Sequence, residues 1–222
     1  MRALRRHALS RARHREDSAV GLARPPRYPA RPMPADQSSR APQDPGLGMK
    51  PFRVALISTG GTIEKTYDEL GGVLANRVNV LDLLLASLDL NGVTIDRVPL
   101  MNKDSLDMTE SDHDLIADTA ELMARNHDGV VVVHGTDRLA KTGDRIHERL
   151  AAKGGATRAI VLTGAMRPFE MKRTDAAQNV TEALLAVQIL PAGVYVAMHN
   201  RVLRFPGVVK DRAQGTFVRA AT

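Results

Sequence analysis

From Lys50 onward, short apolar runs alternate with longer stretches of helical periodicity. The runs at 52–58, 93–98, 129–134, 158–163 and 193–198 are rich in Val, Ile and Leu, and several are continuous rather than alternating. A strand with one wet face alternates apolar and polar residues. A continuous run marks a strand buried on both faces, as in a parallel sheet covered by helices. Between the runs, the spacing predicts helices near 79–90, 111–126, 138–153 and 174–188. Thr109 and Asp112 form a capping-box pattern before the second helix, whose Leu115, Ile116, Leu122 and Met123 are expected to share its core-facing side. Gly154-Gly155 should end the third helix and Pro191 the fourth. The pattern predicts an α/β fold, a doubly wound and mostly parallel sheet with helices on both faces, without an internal repeat or second domain.

Composition narrows this picture. The chain has 222 residues, enough for one α/β domain with a substantial core, and no cysteine, which removes disulfides, thiol nucleophiles and cysteine-ligated metals. No apolar run approaches the ~20 residues that cross a bilayer, so a soluble, cytoplasmic protein is expected. The formal charge of +6 suggests nucleic acid until it is located. Residues 1–48 hold ten Arg and four acids, which leaves 21 basic and 21 acidic residues in 49–222. The same leader holds seven of the twelve prolines. It reads as a disordered basic segment ahead of a domain spanning 49–222, with Met49 as a possible start. A nucleic-acid arm and an organelle transit peptide are the competing readings of the leader; Glu16 and Asp17 oppose the second.

Candidate chemistry gathers at strand ends, where open parallel sheets bind ligands. Thr59-Gly60-Gly61-Thr62-Ile63 follows the first run. Its glycines permit a sharp turn with exposed N–H groups, and Thr62 offers a hydroxyl nucleophile that needs help to lose its proton. The plain alternative is a strand-end turn or a phosphate loop, although G-x-G-x-x-G spacing is absent. His134-Gly135-Thr136-Asp137 follows the third run and adds a second hydroxyl and a carboxylate. Asp137 serves either as a base or as a helix cap, and His134 reads as a satisfied core histidine. Ser105 faces a cleft or sits in a turn. Thr163-Gly164-Ala165-Met166-Arg167-Pro168 presents backbone groups, and Lys210, on spacing alone, is a surface lysine.

Taken in order, Thr-Gly-Gly-Thr-Ile, Ser-x-Asp-Met, His-Gly-Thr-Asp, Thr-Gly-Ala-Met-Arg-Pro, Asp175 with Asn179, and the late Lys210 closely resemble the bacterial-type asparaginase/glutaminase family over 52–218. The resemblance is to its N-terminal catalytic domain, in a compact single-domain branch. It implies that Thr62 is the nucleophile, and that Thr136, Asp137 and Lys210 form a second cluster that activates a threonine and its water. Ser105 and Asp137 would hold the substrate's α-carboxylate and α-amino groups, with Gly61 and Gly135 beside them. Backbone at Thr62 and Ala165 would receive the oxyanion, and Tyr67 would match the family's activating tyrosine. The implied reaction is L-asparagine plus water to L-aspartate plus ammonia, with no metal or cofactor. The partner is a small amino-acid amide rather than nucleic acid or membrane, and the assembly a homo-oligomer.

Three departures stand out: Leu106 where relatives carry Gln, Arg138-Leu139-Ala140-Lys141 after the second motif, and a chain ending at Thr222. They keep a different class in view, a non-catalytic amino-acid-binding module or a component of an amidotransferase. A nucleotide-binding domain ranks below both, since neither a phosphate fingerprint nor an acidic ribose partner is present. Deleting residues 1–48 is expected to leave melting temperature and activity nearly unchanged; a fall of several degrees in a thermal melt would refute a disordered leader.

Overall fold

The structure, a computed structural model, describes residues 50–76 and 80–220. The leader expected at 1–48 lies outside these residues. The chain begins with β1 (Phe52–Gly60), followed by β2 (Lys65–Asp68) and β3 (Val73–Asn76), which pair as an antiparallel hairpin. Next come α1 (Val80–Ala86), β4 (Val93–Lys103), α2 (Glu110–Asn126), β5 (Gly129–Val133), α3 (Leu139–Ala151), β6 (Ala159–Thr163) and α4 (Ala176–Ile189). The last four strands are β7 (Gly193–Met198), β8 (Arg201–Arg204), β9 (Val208–Asp211) and β10 (Thr216–Arg219).

The main sheet has the order β4-β1-β5-β6-β7-β8. Its first five strands are mutually parallel and β8 is antiparallel to β7. Every residue of β5, β6 and β7 is buried, as continuous apolar runs require of strands covered on both faces. Alternate residues feed two cores. Ala55, Ile57, Val130 and Val132 pack with Ile116 of α2 and Ile146 of α3; Val54, Leu56, Val131 and Val133 pack with Leu84 of α1 and Val180 of α4. Each of these Val, Leu and Ile side chains contributes roughly 1.5–3 kcal/mol by leaving water.

The chain leaves β1 toward β4 on one side, and leaves β5 toward β6 on the other. The two connections diverge, and the crevice between the carboxyl ends of β1 and β5 is the topological switch point where doubly wound folds bind ligands. Both threonine loops lie there.

Two helices differ from the expectation. On α2, Leu115 and Leu122 are 47% and 51% exposed. The inward face is instead Ile116, Ala117, Ala120 and Ala124, with Met123 partly buried. Three alanines let the helix sit close to the sheet, which rotates the inward arc off the leucines. The first helix stops at Ala86 because the Ser87 hydroxyl and N–H both bond the Leu84 carbonyl, closing the last turn early. The third ends near the expected place: Gly154 and Gly155 adopt φ of 94° and 105°, and the Gly155 N–H donates to Leu150.

The α2 capping box forms as expected. The Thr109 hydroxyl accepts from the Asp112 N–H, and the Asp112 carboxylate accepts from the Thr109 N–H at 2.8 Å and from Lys103 Nζ at 2.8 Å. The Lys103 ammonium first, then the Thr109 N–H, pull the Asp112 carboxyl down to about 2. A pKa depressed by folding stabilises above the ordinary carboxylate value and ceases to do so as pH falls through the folded one. Asp112→Asn should therefore cost about 1 kcal/mol near neutral pH. In urea melts the gap from the parent should close between roughly pH 4 and pH 2; a pH-independent gap would refute the assignment.

Candidate active site

The loop after β1 turns on two glycines at positive φ, Gly60 at 93° and Gly61 at 87°. Neither has room for a side chain. A Cβ on Gly60 would stand 2.6 Å from the Lys103 backbone, and one on Gly61 2.4 Å from Gly135 Cα. The backbones that follow β1 and β5 thus touch directly. The Gly61 N–H donates to the Lys103 carbonyl at 3.0 Å, tying the turn to β4 as well. Thr62 opens a short 3₁₀ turn, Thr62–Glu64, and is half-buried, while Ile63 beside it is sunk in the core.

After β5, Gly135 packs against Ser105, where a Cβ would stand 2.7 Å from Ser105 Oγ. Ser105 itself is buried on a 3₁₀ turn that Asp104 caps by accepting from the Leu106 N–H. Lys65 holds Asp104 in turn through a 2.6 Å ion pair. Leu106 is exposed.

Lys210 arrives from the other end of the chain. Its Nζ donates to Thr136 Oγ1 at 2.8 Å and to Asp137 Oδ1 at 3.0 Å, across 74 and 73 residues of sequence. The side chain is only 16% exposed, so the surface lysine suggested by spacing is in fact a partly enclosed ion-pair partner. What brings it there is a hairpin that periodicity did not reveal. Lys210 on β9 pairs with Phe217 on β10, and Val208 and Phe217 are each 2% exposed in the core. Asp137 does not cap α3; the residue in the capping position is Arg138, without a side-chain cap bond. His134 is fully buried with both ring nitrogens bonded, as a satisfied core histidine should be.

A third loop, 163–168, is clipped from below. Asp175 accepts from the Met166 and Arg167 N–H groups at 2.9 and 3.0 Å, from Asn179 Nδ2 at 2.8 Å and from His199 Nε2 at 2.8 Å. Burial alone pushes the Asp175 carboxyl up, but the Met166 N–H, the His199 ring and the Arg167 N–H outweigh it and hold it below the ordinary range. Asn179 bonds the Gly164 carbonyl and the His199 N–H. Ala165 is buried within this loop. His199, at a left-handed φ of 55°, escaped the sequence reading because nothing in its spacing marks it.

The structure therefore brings Thr136, Asp137 and Lys210 into contact, and seats Gly61, Gly135 and Ser105 against one another. Tyr67 stands apart on β2, 56% exposed, its N–H donating to Glu170. A cavity of about 590 Å³ borders the clipped loop at Met166, Arg167, His199 and Thr216 rather than lying over Thr62. Among the described residues no three His, Asp or Glu side chains are grouped as metal ligands would be, and no helix is long and apolar enough to cross a membrane.

Residues 53–217 match the family model described as Asparaginase, N-terminal. The chain is 33% identical over 151 residues to a glutamyl-tRNA(Gln) amidotransferase subunit from Aeropyrum pernix, a match that covers 67% of this chain and 35% of that one. It is 27% identical over 164 residues to the L-asparaginase of Thermococcus kodakarensis, covering 74% and 49%. Among solved structures, the thermostable L-asparaginase from Thermococcus kodakarensis is similar with a TM-score of 0.67 at 26% identity, over 76% of this chain and 51% of that one. The chain spans from about a third to about half of the length of these relatives.

The contact of Gly61 with Gly135 gives a direct test of how the loops are held. Gly61→Ala places a methyl group on backbone and strains a positive φ, and should destabilise the domain by about 1–3 kcal/mol. Amide exchange should quicken at both 60–63 and 134–137, whereas exchange confined to 60–63 would show the loops to be independent.

Proposed function

Because this chain belongs to the asparaginase family through its N-terminal domain, we propose that it is an amidohydrolase. In this reading it hydrolyses L-asparagine, or a related small carboxamide, to L-aspartate and ammonia through an acyl-threonine. The observation that carries the reading is the double contact of Lys210, with Thr136 and with Asp137. An ammonium has donors only, so Thr136 Oγ1 accepts from Lys210 and its own hydrogen is free to be given onward. Asp137 holds the ammonium in place and balances its charge. A lone threonine is far too weak an acid to act this way; a lysine behind it lowers the cost of the alkoxide and returns a proton afterwards.

The chemistry balances in two halves. Thr62 Oγ attacks the carboxamide carbon and its proton passes on to the leaving nitrogen; the oxyanion is held by backbone N–H groups at Thr62 and Ala165. The C–N bond breaks as the amine takes a proton, ammonia leaves, and an ester on Thr62 remains. Water, oriented by the Thr136 cluster, adds to the ester; the C–O bond to Thr62 breaks, aspartate departs and the hydroxyl regains its proton. Ser105 and Asp137 hold the substrate's α-carboxylate and α-amino groups, and Tyr67 takes the part of the family's activating tyrosine. The domain boundary at 48/49, a homo-oligomer and a cytoplasmic setting belong to the same proposal.

A second reading is favoured by the 33% identity to an amidotransferase subunit. Here the domain serves a larger assembly, and the amide it opens is glutamine, or it binds an amino acid without turnover. Ammonia release by the chain from L-asparagine and L-glutamine separates these. Hydrolysis predicts release from asparagine that falls at least about 1000-fold in Thr62→Ala and in Lys210→Met, the scale of losing a nucleophile or its activating group. Glutamine turnover alone supports the amidotransferase role, and calorimetric binding of aspartate without any release supports the binding module.

A further inference from the structure

Behind the loop that carries Thr136 and Asp137 lie two imidazoles that this mechanism leaves unused. His113 on α2 and His134 at the end of β5 are both 0% exposed. Their rings stack, with centroids 6.4 Å apart and planes 17° from parallel. Thr142 on α3 stands between them, its Oγ1 2.8 Å from His134 Nε2 and 2.7 Å from His113 Nδ1. On the far side, His134 Nδ1 lies 2.8 Å from the Gly135 carbonyl oxygen.

These contacts assign every proton. A carbonyl only accepts, so His134 Nδ1 carries hydrogen. Burial holds both rings neutral. It pulls His134 down to about 4, outweighing the hydrogen bond to the Gly135 carbonyl, which acts the other way. It lowers His113 too, where Lys141, Arg138 and Arg145 act with burial and Glu110 against it. A neutral ring with hydrogen on Nδ1 has a bare Nε2, so the Thr142 hydroxyl must donate to it. The other acceptor in reach, the Arg138 carbonyl, is farther at 3.4 Å. With its one proton spent, Thr142 Oγ1 accepts from His113 Nδ1–H. That leaves His113 Nε2 as an enclosed lone pair, and it has no hydrogen-bond partner.

Taking the proposed hydrolysis as premise, we propose that His113, Thr142 and His134 form a buried positioning relay, a one-way chain of hydrogen bonds that ends on the Gly135 carbonyl and sets the peptide plane bearing Thr136. Gly135 has no side chain, so its carbonyl is the handle by which the interior grips this loop. The Gly135–Thr136 peptide is planar, and its carbonyl and N–H point opposite ways. Drawing the carbonyl onto His134 therefore turns the Thr136 N–H away from the buried ring and fixes the Cα from which the Thr136 hydroxyl meets Lys210. The relay also ties the loop to α2 and α3 together, so the hydroxyl is referred to the sheet face and not to the loop alone. None of the three residues touches the reacting atoms in the proposed scheme; each acts through Gly135.

Two variants of Thr142 test this. Thr142→Val keeps the shape and removes the hydroxyl, whereas Thr142→Ser keeps the hydroxyl and removes a methyl group. The Val variant should lose on the order of 100-fold in ammonia release, mostly in kcat, as expected when a reacting group is displaced by up to about 1 Å. The Ser variant should stay within a few-fold of the parent, and both should fold. Nitrogen-15 spectra of the imidazoles should show hydrogen on Nδ1 of both rings in the parent and the Ser variant. In the Val variant the hydrogen-bonded His113 Nδ1–H signal should disappear and the Thr136 amide resonance should move. Full activity in the Val variant, equal loss in both variants, or hydrogen on His134 Nε2 in the parent would overturn the relay. If the parent releases no ammonia, the hydrolysis reading fails by itself, and the spectra still decide whether the relay sets the Thr136 peptide.

Discussion

Two glycine backbones in direct contact govern this molecule. The loops after β1 and β5 can share one crevice only if Gly61 and Gly135 approach as closely as their lack of Cβ atoms permits. The sheet order makes the approach possible, since β1 and β5 are neighbours in register while the chain departs from them in opposite directions. A side chain at Gly61 would have to sit where the Gly135 backbone lies, and one at Gly135 where Ser105 lies. The hydroxyls of Thr62 and Thr136 are thus carried by segments whose separation is set by main chain, which has little freedom, and not by flexible side chains.

Around that contact, the polar groups are held in layers that differ in dielectric. Thr136 and Asp137 meet an ammonium that is partly shielded from water, where a charge-assisted bond is stronger than at the surface. One layer further in, His134 and His113 are fully enclosed, and burial lowers the pKa of both, which disfavours a second positive charge near the lysine. Asp175 performs a comparable task under the 163–168 loop, but as an ionised acceptor stabilised by two backbone N–H groups. The contrast is physical. A loop that must be held by its carbonyl needs a donor such as an imidazole N–H, and one held by its N–H groups needs a carboxylate.

The parts of this arrangement that could be read from sequence are those with strong local periodicity. Continuous runs of Val, Ile and Leu placed β1, β5, β6 and β7 to within two residues, and Thr109 with Asp112 marked the start of α2. The β2–β3 and β9–β10 hairpins were invisible to that reading. Lys65-Thr66-Tyr67-Asp68 and Thr216-Phe217-Val218-Arg219 are four residues each, too short for alternation to rise above chance, and both pair outside the main sheet. The position of Lys210 depends on the second hairpin, so residue spacing alone left the lysine on the surface and only the family resemblance placed it with Thr136. Leu115 and Leu122 misled for the opposite reason. Their spacing is correct for one helix face, but Ala117, Ala120 and Ala124 permit a closer approach on the adjacent arc.

Both kinds of relative share this domain, the amidotransferase subunit at 33% identity and the L-asparaginase at 27%. Every group assigned a part in opening the amide, from Thr62 to Lys210, falls inside the matched region 53–217. In the proposed hydrolysis, bond breaking and the fate of the ammonia are therefore separable properties. The first depends on hydroxyls and an ammonium fixed by the sheet and its two hairpins; the second depends on what surrounds the crevice. Leu106, exposed beside the buried Ser105, lies on that boundary. An apolar side chain there supplies no hydrogen bond, so in the proposed site recognition of the α-carboxylate would fall to the Ser105 hydroxyl and backbone donors, and that of the α-amino group to Asp137. A site that recognises its ligand by few polar contacts discriminates weakly between amides differing by one methylene, a difference worth only about 1–3 kcal/mol. Under the proposed hydrolysis, the choice between asparagine and glutamine would be made by how far the carboxamide carbon lies from Thr62, and not by how tightly the α-carbon end is gripped.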